Sequence, residues 1–257
     1  MDFLHIISDL VMGNTQAVFP AIAVLTRISV FVFLLPGLGE AAISRRTRLV
    51  AALLITMLIL PFVGTGASVG WSIGAMTAAI AFEAFYGFML GFGLRLMVFT
   101  LQIAGSIISQ CLSLTQVFGG GMTTQPNTTI STILMLCGVT LLLSLDMHTK
   151  AVGLLVQSYD IFPLATTPDF EKTAYWFAQK SAAYFAFAVS LALPLLVFNF
   201  IYNLMLGFVN KAMPQLMVSF VGMPFVTGAG IILLALSVSG IFAVWLTGYN
   251  TLMAEML

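Results

Sequence analysis

Glu83, Gly87, Gly91 and Arg95 follow one another at steps of four inside the apolar stretch Trp71 to Leu101. On a helix such steps make one slowly drifting ridge. It carries an acid at one end, a base at the other, and the Gly-x-x-x-Gly of Gly87-Phe88-Met89-Leu90-Gly91 between them. Glycines let a second helix come close and the opposite charges could clamp it, so the ridge predicts packing in which Glu83 and Arg95 pair with neighbouring subunits and not with lipid. The plain alternative, charges in the headgroup region and glycines common to membrane helices, stays open. Arg27 stands alone in the run Ala17 to Leu38 and predicts either a side chain facing protein or a helix-end anchor. Asp146 and His148 lie two apart, hence on different helical faces, and read as end anchors, not as a proton relay. Cys111 and Cys137 sit in apolar surroundings without Cys-x-x-Cys spacing, and the two histidines are far apart. A disulfide or metal site is not expected. With no P-loop, nucleophile elbow or His-Glu-x-x-His either, the sequence predicts a protein that is not an enzyme and takes no cofactor.

Two stretches are built to deform. No charged residue occurs between Arg95 and Asp146, and the middle of this interval, Gln102 to Thr129, is polar around Phe118, Gly119, Gly120, Gly121 and Met122. Three successive glycines disfavour a helix, each by ~1 kcal/mol relative to alanine. The segment predicts a flexible loop, either a linker or a neutral seal with soft apolar tips for a pore. The second stretch, Asn199 to Pro224, is a membrane helix that stops, turns and restarts: Asn210, Lys211, Pro214 and Gln215 interrupt one apolar run, and Gly222 with Pro224 predicts a further break. Unpaired backbone groups cost several kcal/mol in lipid, so such breaks require burial in protein or a wet cavity unless they form an ordinary loop between spans.

The elements that must hold these residues are membrane helices. The 257 residues are 60% hydrophobic and 7% charged, with mean hydropathy +1.09, against roughly 25% charged in soluble domains. Nine basic and nine acidic residues cancel, leaving no field for nucleic acid. The N-terminus, MDFLHIISDLVMGN, has acids where a signal peptide has bases and reads as mature sequence. The chain is expected to be all-α and integral to the membrane, a single membrane domain over 1–257. About six hydrophobic segments of uneven length are legible, several broken, with Leu49 to Val63 and Ile130 to Leu145 short of the ~20 residues a span needs. Arg45, Arg46 and Arg48 form the densest basic cluster and are placed in the cytoplasm by the positive-inside rule. Alternation of segments puts Lys211 on the same side, and the mixed interval Tyr159 to Lys180 and both chain ends in the periplasm.

Lys211-Ala212-Met213-Pro214-Gln215-Leu216 followed by Phe220-Val221-Gly222-Met223-Pro224 resembles the Ala-x-Pro-Gln-Leu-Asn-x-Phe-x-x-Gly-x-Pro signature of the flagellar biosynthetic protein FliR family. Arg27-Ile28-Ser29 with Pro36-Gly37-Leu38-Gly39-Glu40 and the following arginines resembles the family's Arg-rich turn, with Ser44 where a proline is usual. Leu145-Asp146-Met147-His148 resembles its Leu-Asp-Gly-His. The resemblance runs from Arg27 to about Leu234. It implies a non-enzymatic core subunit, the R component of the flagellar type III export gate, in the bacterial inner membrane at the flagellar basal body. Its implied neighbours are the P and Q components (FliP, FliQ), the B component (FlhB) and lipid, and its cargo is unfolded polypeptide. By position, Phe118 to Met122 would be the pore plug, although the acidic residue and proline common there in the family are absent. The related T component of injectisomes and a secondary transporter with broken helices are the alternatives. Broken helices with intramembrane Glu83 and Arg95 suit the transporter, whereas the lack of an evident inverted repeat and the paucity of midplane acids for coupling ions speak against it.

Overall fold

The computed structural model describes residues 3–40, 43–63, 73–112, 129–212 and 218–255. Seven helices account for almost all of them: α1 (Phe3–Leu34), α2 (Arg45–Ile59), α3 (Ile73–Cys111), α4 (Thr129–Ser144), α5 (Met147–Ile161), α6 (Phe170–Ala212) and α7 (Val218–Glu255). No strand occurs among the described residues, so the all-α membrane class read from composition is borne out. Three helical stretches there, Gly74–Cys111, Phe170–Ala212 and Pro224–Glu255, are long and apolar enough to cross a bilayer. The pair α4 and α5, bent by 72°, would make a fourth as one broken span, while Phe19–Leu34 is a shorter apolar helix. The described residues thus hold three such helices, or four if the bent pair is one span, of uneven length and in part broken.

Local chemistry explains the ends. Ser44 caps α2 from an extended backbone, its Oγ accepting from the Thr47 N–H at 3.2 Å, which satisfies one of the helix's free donors. Asp169 does the same for α6: Oδ1 accepts from the Lys172 N–H at 3.1 Å and Oδ2 lies 2.9 Å from Lys172 Nζ. The hydrogen bond from that side chain holds the Asp169 carboxyl below the usual range. At the bend between α4 and α5, Asp146 takes φ 54, a left-handed conformation that aspartate tolerates better than most residues.

The mixed interval Tyr159 to Lys180 holds the end of α5 and the start of α6. One sequence expectation is overturned here: the second break at Gly222 and Pro224 does not occur, since α7 runs through both, and through Gly228 and Gly230, without interruption. Pro224 forfeits one backbone hydrogen bond in the second turn of α7. Ending the helix there would strand several backbone groups, which is the dearer choice in an apolar medium.

The chain divides into two compact units interleaved in sequence. The first comprises Met1–Arg95, Leu143–Phe177 and Met253–Leu257. Its core includes Ile28, Phe31 and Val32 of α1, Tyr86, Leu90 and Leu94 of α3, and Leu154 and Leu155 of α5, all buried. The first turns of α6 join it through rings: Phe170 meets Phe85 edge-on at 5.2 Å, and Phe177 meets Phe92 at 5.7 Å.

The second unit comprises Leu96–Leu142 and Ala178–Leu252, and it closes around Trp245, which is fully buried. The indole N–H donates to the Met97 carbonyl at 2.8 Å and to Thr100 Oγ1 at 3.1 Å, tying α7 to α3. Small residues bring α4 in. Any side chain at Gly138 would run into Leu101, and a Cβ at Gly105 would stand 2.5 Å from Ser131 Cα. Such glycine contacts let helices approach closely where lipid supplies no hydrophobic drive between them.

Candidate functional site

The densest chemistry among the described residues is a buried ion pair in the first unit. Arg27 on α1 and Glu83 on α3 are both fully buried, with Nε 2.6 Å from Oε2 and the second terminal nitrogen 3.1 Å from Oε1. The remaining donors of the guanidinium are placed too: one terminal nitrogen reaches Ser158 Oγ at 3.2 Å, the other the Phe162 carbonyl at 3.0 Å. The planar cation also lies over the rings of Tyr159, 3.9 Å from its centroid, and Tyr86, 5.0 Å away. Glu83 Oε1 accepts a further bond from the Ala165 N–H at 3.1 Å. Removing two charges from water is repaid only when geometry is good and the leftover donors and acceptors are met, and here they are. The arrangement has no open position for a substrate; it holds α1, α3, α5 and the Phe162–Asp169 connector in one register.

The ridge below this pair is also used within the chain, which corrects the expectation that it meets other subunits. A Cβ at Gly87 would run into the Arg27 carbonyl of α1, and one at Gly91 would lie 2.8 Å from Leu34 Cβ and 3.1 Å from the Phe31 carbonyl. Arg95 approaches Gly39 O at 3.5 Å and a Glu40 carboxylate oxygen at 3.9 Å. The physical reason is that α1 brings its own opposite charge and its own backbone to the ridge. Arg27 and Glu83 are of opposite sign, each set in an apolar run, and that mutual need was the signal available in sequence. A direct consequence concerns the isolated chain. Gly87→Ala is expected to cost roughly 1–3 kcal/mol by overpacking, whereas Gly207→Ala, where a Cβ meets nothing within 4 Å, should be neutral or mildly stabilising. Thermal unfolding of the two variants in detergent checks this.

The other predicted residues are dispersed. Arg45 and Arg46 are exposed at the start of α2. Arg48 instead turns back to the Glu40 and Ile43 carbonyls, its guanidinium 5.5 Å above the Phe33 ring. Lys211 is exposed in the last turn of α6, where a cation suits the helix dipole. Gly222 and Pro224 lie within α7. Pro214 and Gln215, and Phe118, Gly119, Gly120, Gly121 and Met122, lie outside the described residues. Cys111 is buried and Cys137 exposed, both as free thiols. In the second unit α6 and α7 flank a wholly apolar cleft of about 250 Å³ lined by Phe198, Tyr202, Met205 and Phe225 among others. A site without convergent polar groups offers contact area, not chemistry.

Among the described residues the chain is thus all-helical, and its buried ion pair serves packing. The family described as bacterial export proteins, family 1, matches residues 18–252, and the chain belongs to that family. It is 35% identical over 239 residues to flagellar biosynthetic protein FliR of Caulobacter vibrioides, covering 92% of this chain and 95% of that one. FliR of Bacillus subtilis is 28% identical, covering 91% and 92%, and FliR of Pectobacterium carotovorum 27%, covering 89% and 86%. The resemblance carried by Lys211 to Pro224 thus holds for nearly the whole chain.

Proposed function

We propose that this chain is a non-enzymatic subunit of the flagellar type III protein-export channel, seated in the bacterial inner membrane at the flagellar basal body. The carrying observation is the family match along 18–252 together with 35% identity to FliR of Caulobacter vibrioides over 92% of this chain. Its neighbours in this reading are the P and Q components, with the B component beside them, and its cargo is unfolded flagellar polypeptide. Two structural features support assembly. At about 1.5 Å per residue, the 43 residues of α6 and 38 of α7 reach roughly 65 and 57 Å, twice the ~30 Å hydrocarbon core. Only 22% and 17% of their most apolar windows are covered by the chain itself. Apolar surface beyond the reach of lipid requires protein to cover it.

In this reading Phe118 to Met122 closes the pore at rest. The charge-free glycine segment changes shape at little backbone cost, and its two apolar side chains supply contacts of roughly 1 to 3 kcal/mol each, weak enough for an entering chain to displace. The test is co-expression with the P and Q components followed by purification in mild detergent and native mass measurement. The expected result is a stable complex of all three. A lone monomer with solute-dependent transport would overturn the reading. In the same reconstituted complex, deletion of Phe118 to Gly121 should raise ion conductance without loss of assembly. Conductance at the closed wild-type level would make the segment a linker.

A further inference from the structure

The Phe162–Asp169 connector between α5 and α6 is fastened to the first unit in an unusual way. Among the described residues its backbone hydrogen bonds to other backbone are all local: Phe162 N–H to Ser158, Thr166 N–H to Pro163, and Asp169 O from Thr173. What ties it to α1 and α3 are three side chains gripping its main chain. Arg27 donates to the Phe162 carbonyl at 3.0 Å, Glu83 accepts from the Ala165 N–H at 3.1 Å, and the Tyr86 hydroxyl donates to the Thr166 carbonyl at 3.3 Å. Phe162 stacks on Tyr86 at 4.7 Å, and Leu164 and Ala165 rest on the small cluster of Phe19, Ala23 and Ala79. Pro163, Thr166, Thr167 and Asp169 are exposed, whereas the ion pair beneath is fully buried. Ala165 is held at φ 63, a conformation that costs an L-residue other than glycine, and its N–H is the very group that Glu83 binds.

We propose that Phe162–Asp169 is a strap that closes over the Arg27–Glu83 pair and opens as one body, with the pair as its catch. Closing completes the pair's hydrogen bonds and keeps it dry. Opening leaves Arg27 and Glu83 joined to each other, admits water to them, and relaxes the backbone of Ala165. Because its hydrogen bonds to α1 and α3 all run from side chains to its main chain and its other ties are side-chain packing, the strap can leave without unravelling a helix. Phe170, the next residue, packs on Phe82 and Phe85, so a closed strap also fixes where α6 begins on α3. The inference does not depend on the export reading.

Hydrogen–deuterium exchange followed by mass spectrometry on the full chain in detergent micelles tests it. In the wild type, peptides covering 162–169 should exchange measurably slower than free chain, yet faster than those covering 23–35 and 80–92. Connector exchange as slow as in those helices would make it ordinary core, and exchange complete at the first time point would mean no catch at all. Either result overturns the proposal. Ala165→Gly removes the strain of the closed state and should slow connector exchange by roughly two- to fivefold. Glu83→Gln weakens the charge-assisted bond and should quicken it by roughly tenfold. If Glu83→Gln does not fold, the wild-type and Ala165→Gly measurements still decide. Unchanged connector exchange in Ala165→Gly, or faster exchange spread equally over α1 and α3 in a folded Glu83→Gln protein, would sink the catch.

Discussion

Glu83→Leu is expected to destabilise the isolated chain by roughly 3–5 kcal/mol, because it leaves the Arg27 cation buried without its counter-charge. Arg27 has no water to retreat to: it is fully buried, lies over the rings of Tyr86 and Tyr159 and is bonded to Ser158 and Phe162. Arg27→Met should cost a similar amount by stranding the carboxylate. The double variant Arg27→Met with Glu83→Leu removes both charges and should recover at least half of either loss. The residual deficit comes from the Ala165 N–H, which loses its acceptor, at roughly 1–3 kcal/mol. Unfolding free energies of the four proteins in mild detergent complete the cycle. If the double variant is as unstable as the sum of the singles, the pair is not the coupled unit described.

Trp245→Ala should be as damaging to the second unit, by roughly 3–5 kcal/mol, since it opens the largest fully buried side-chain site there. Trp245→Phe separates two contributions. It keeps most of the ring volume against Leu101 and Gly138 but gives up the N–H bonds to Met97 and Thr100. Thr100 Oγ1 itself donates to the Met97 carbonyl at 2.7 Å, so that acceptor is not orphaned. The phenylalanine variant should therefore lose only about 1 kcal/mol. Equal losses in the two variants would mean that the hydrogen bonds, and not the packing, hold α7 to α3. The same detergent unfolding assay reads both.

Much of this site was visible in sequence, though not its wiring. Arg27 stood out as a lone charge in its apolar run and Glu83 as the acid of the α3 ridge, with Gly87 and Gly91 as places where a helix backbone comes close. Which helix comes close is a long-range question, with the paired residues 56 positions apart. Periodicity within α3 says that the ridge has a partner and is silent on whether α1 or another subunit provides it. Helix α5 was legible in principle. Its buried residues Met147, Ala151, Leu154, Leu155 and Ser158 follow helical spacing, but His148, Lys150 and Gln157 lowered the average hydropathy below that of a span. The connector's grip could not be read at all, because its bonds are made to main-chain atoms that are the same for every residue type.

By itself the sequence determined the solvent and the class. A chain 60% hydrophobic and 7% charged has to satisfy its backbone internally where lipid surrounds it, which makes it helical, and the spacing around Lys211 to Pro224 together with the rest of the chain fixes its family. Only the tertiary structure decided what the polar residues do. It turned a ridge that could have bound a neighbour into the seat of α1, carried a helix straight through Gly222 and Pro224, and folded the Phe162–Asp169 connector onto a charge pair. The reason is that composition and period are local sums, whereas the cost of a buried charge or an unpaired amide is set by whichever group, however distant in sequence, arrives within about 3 Å of it.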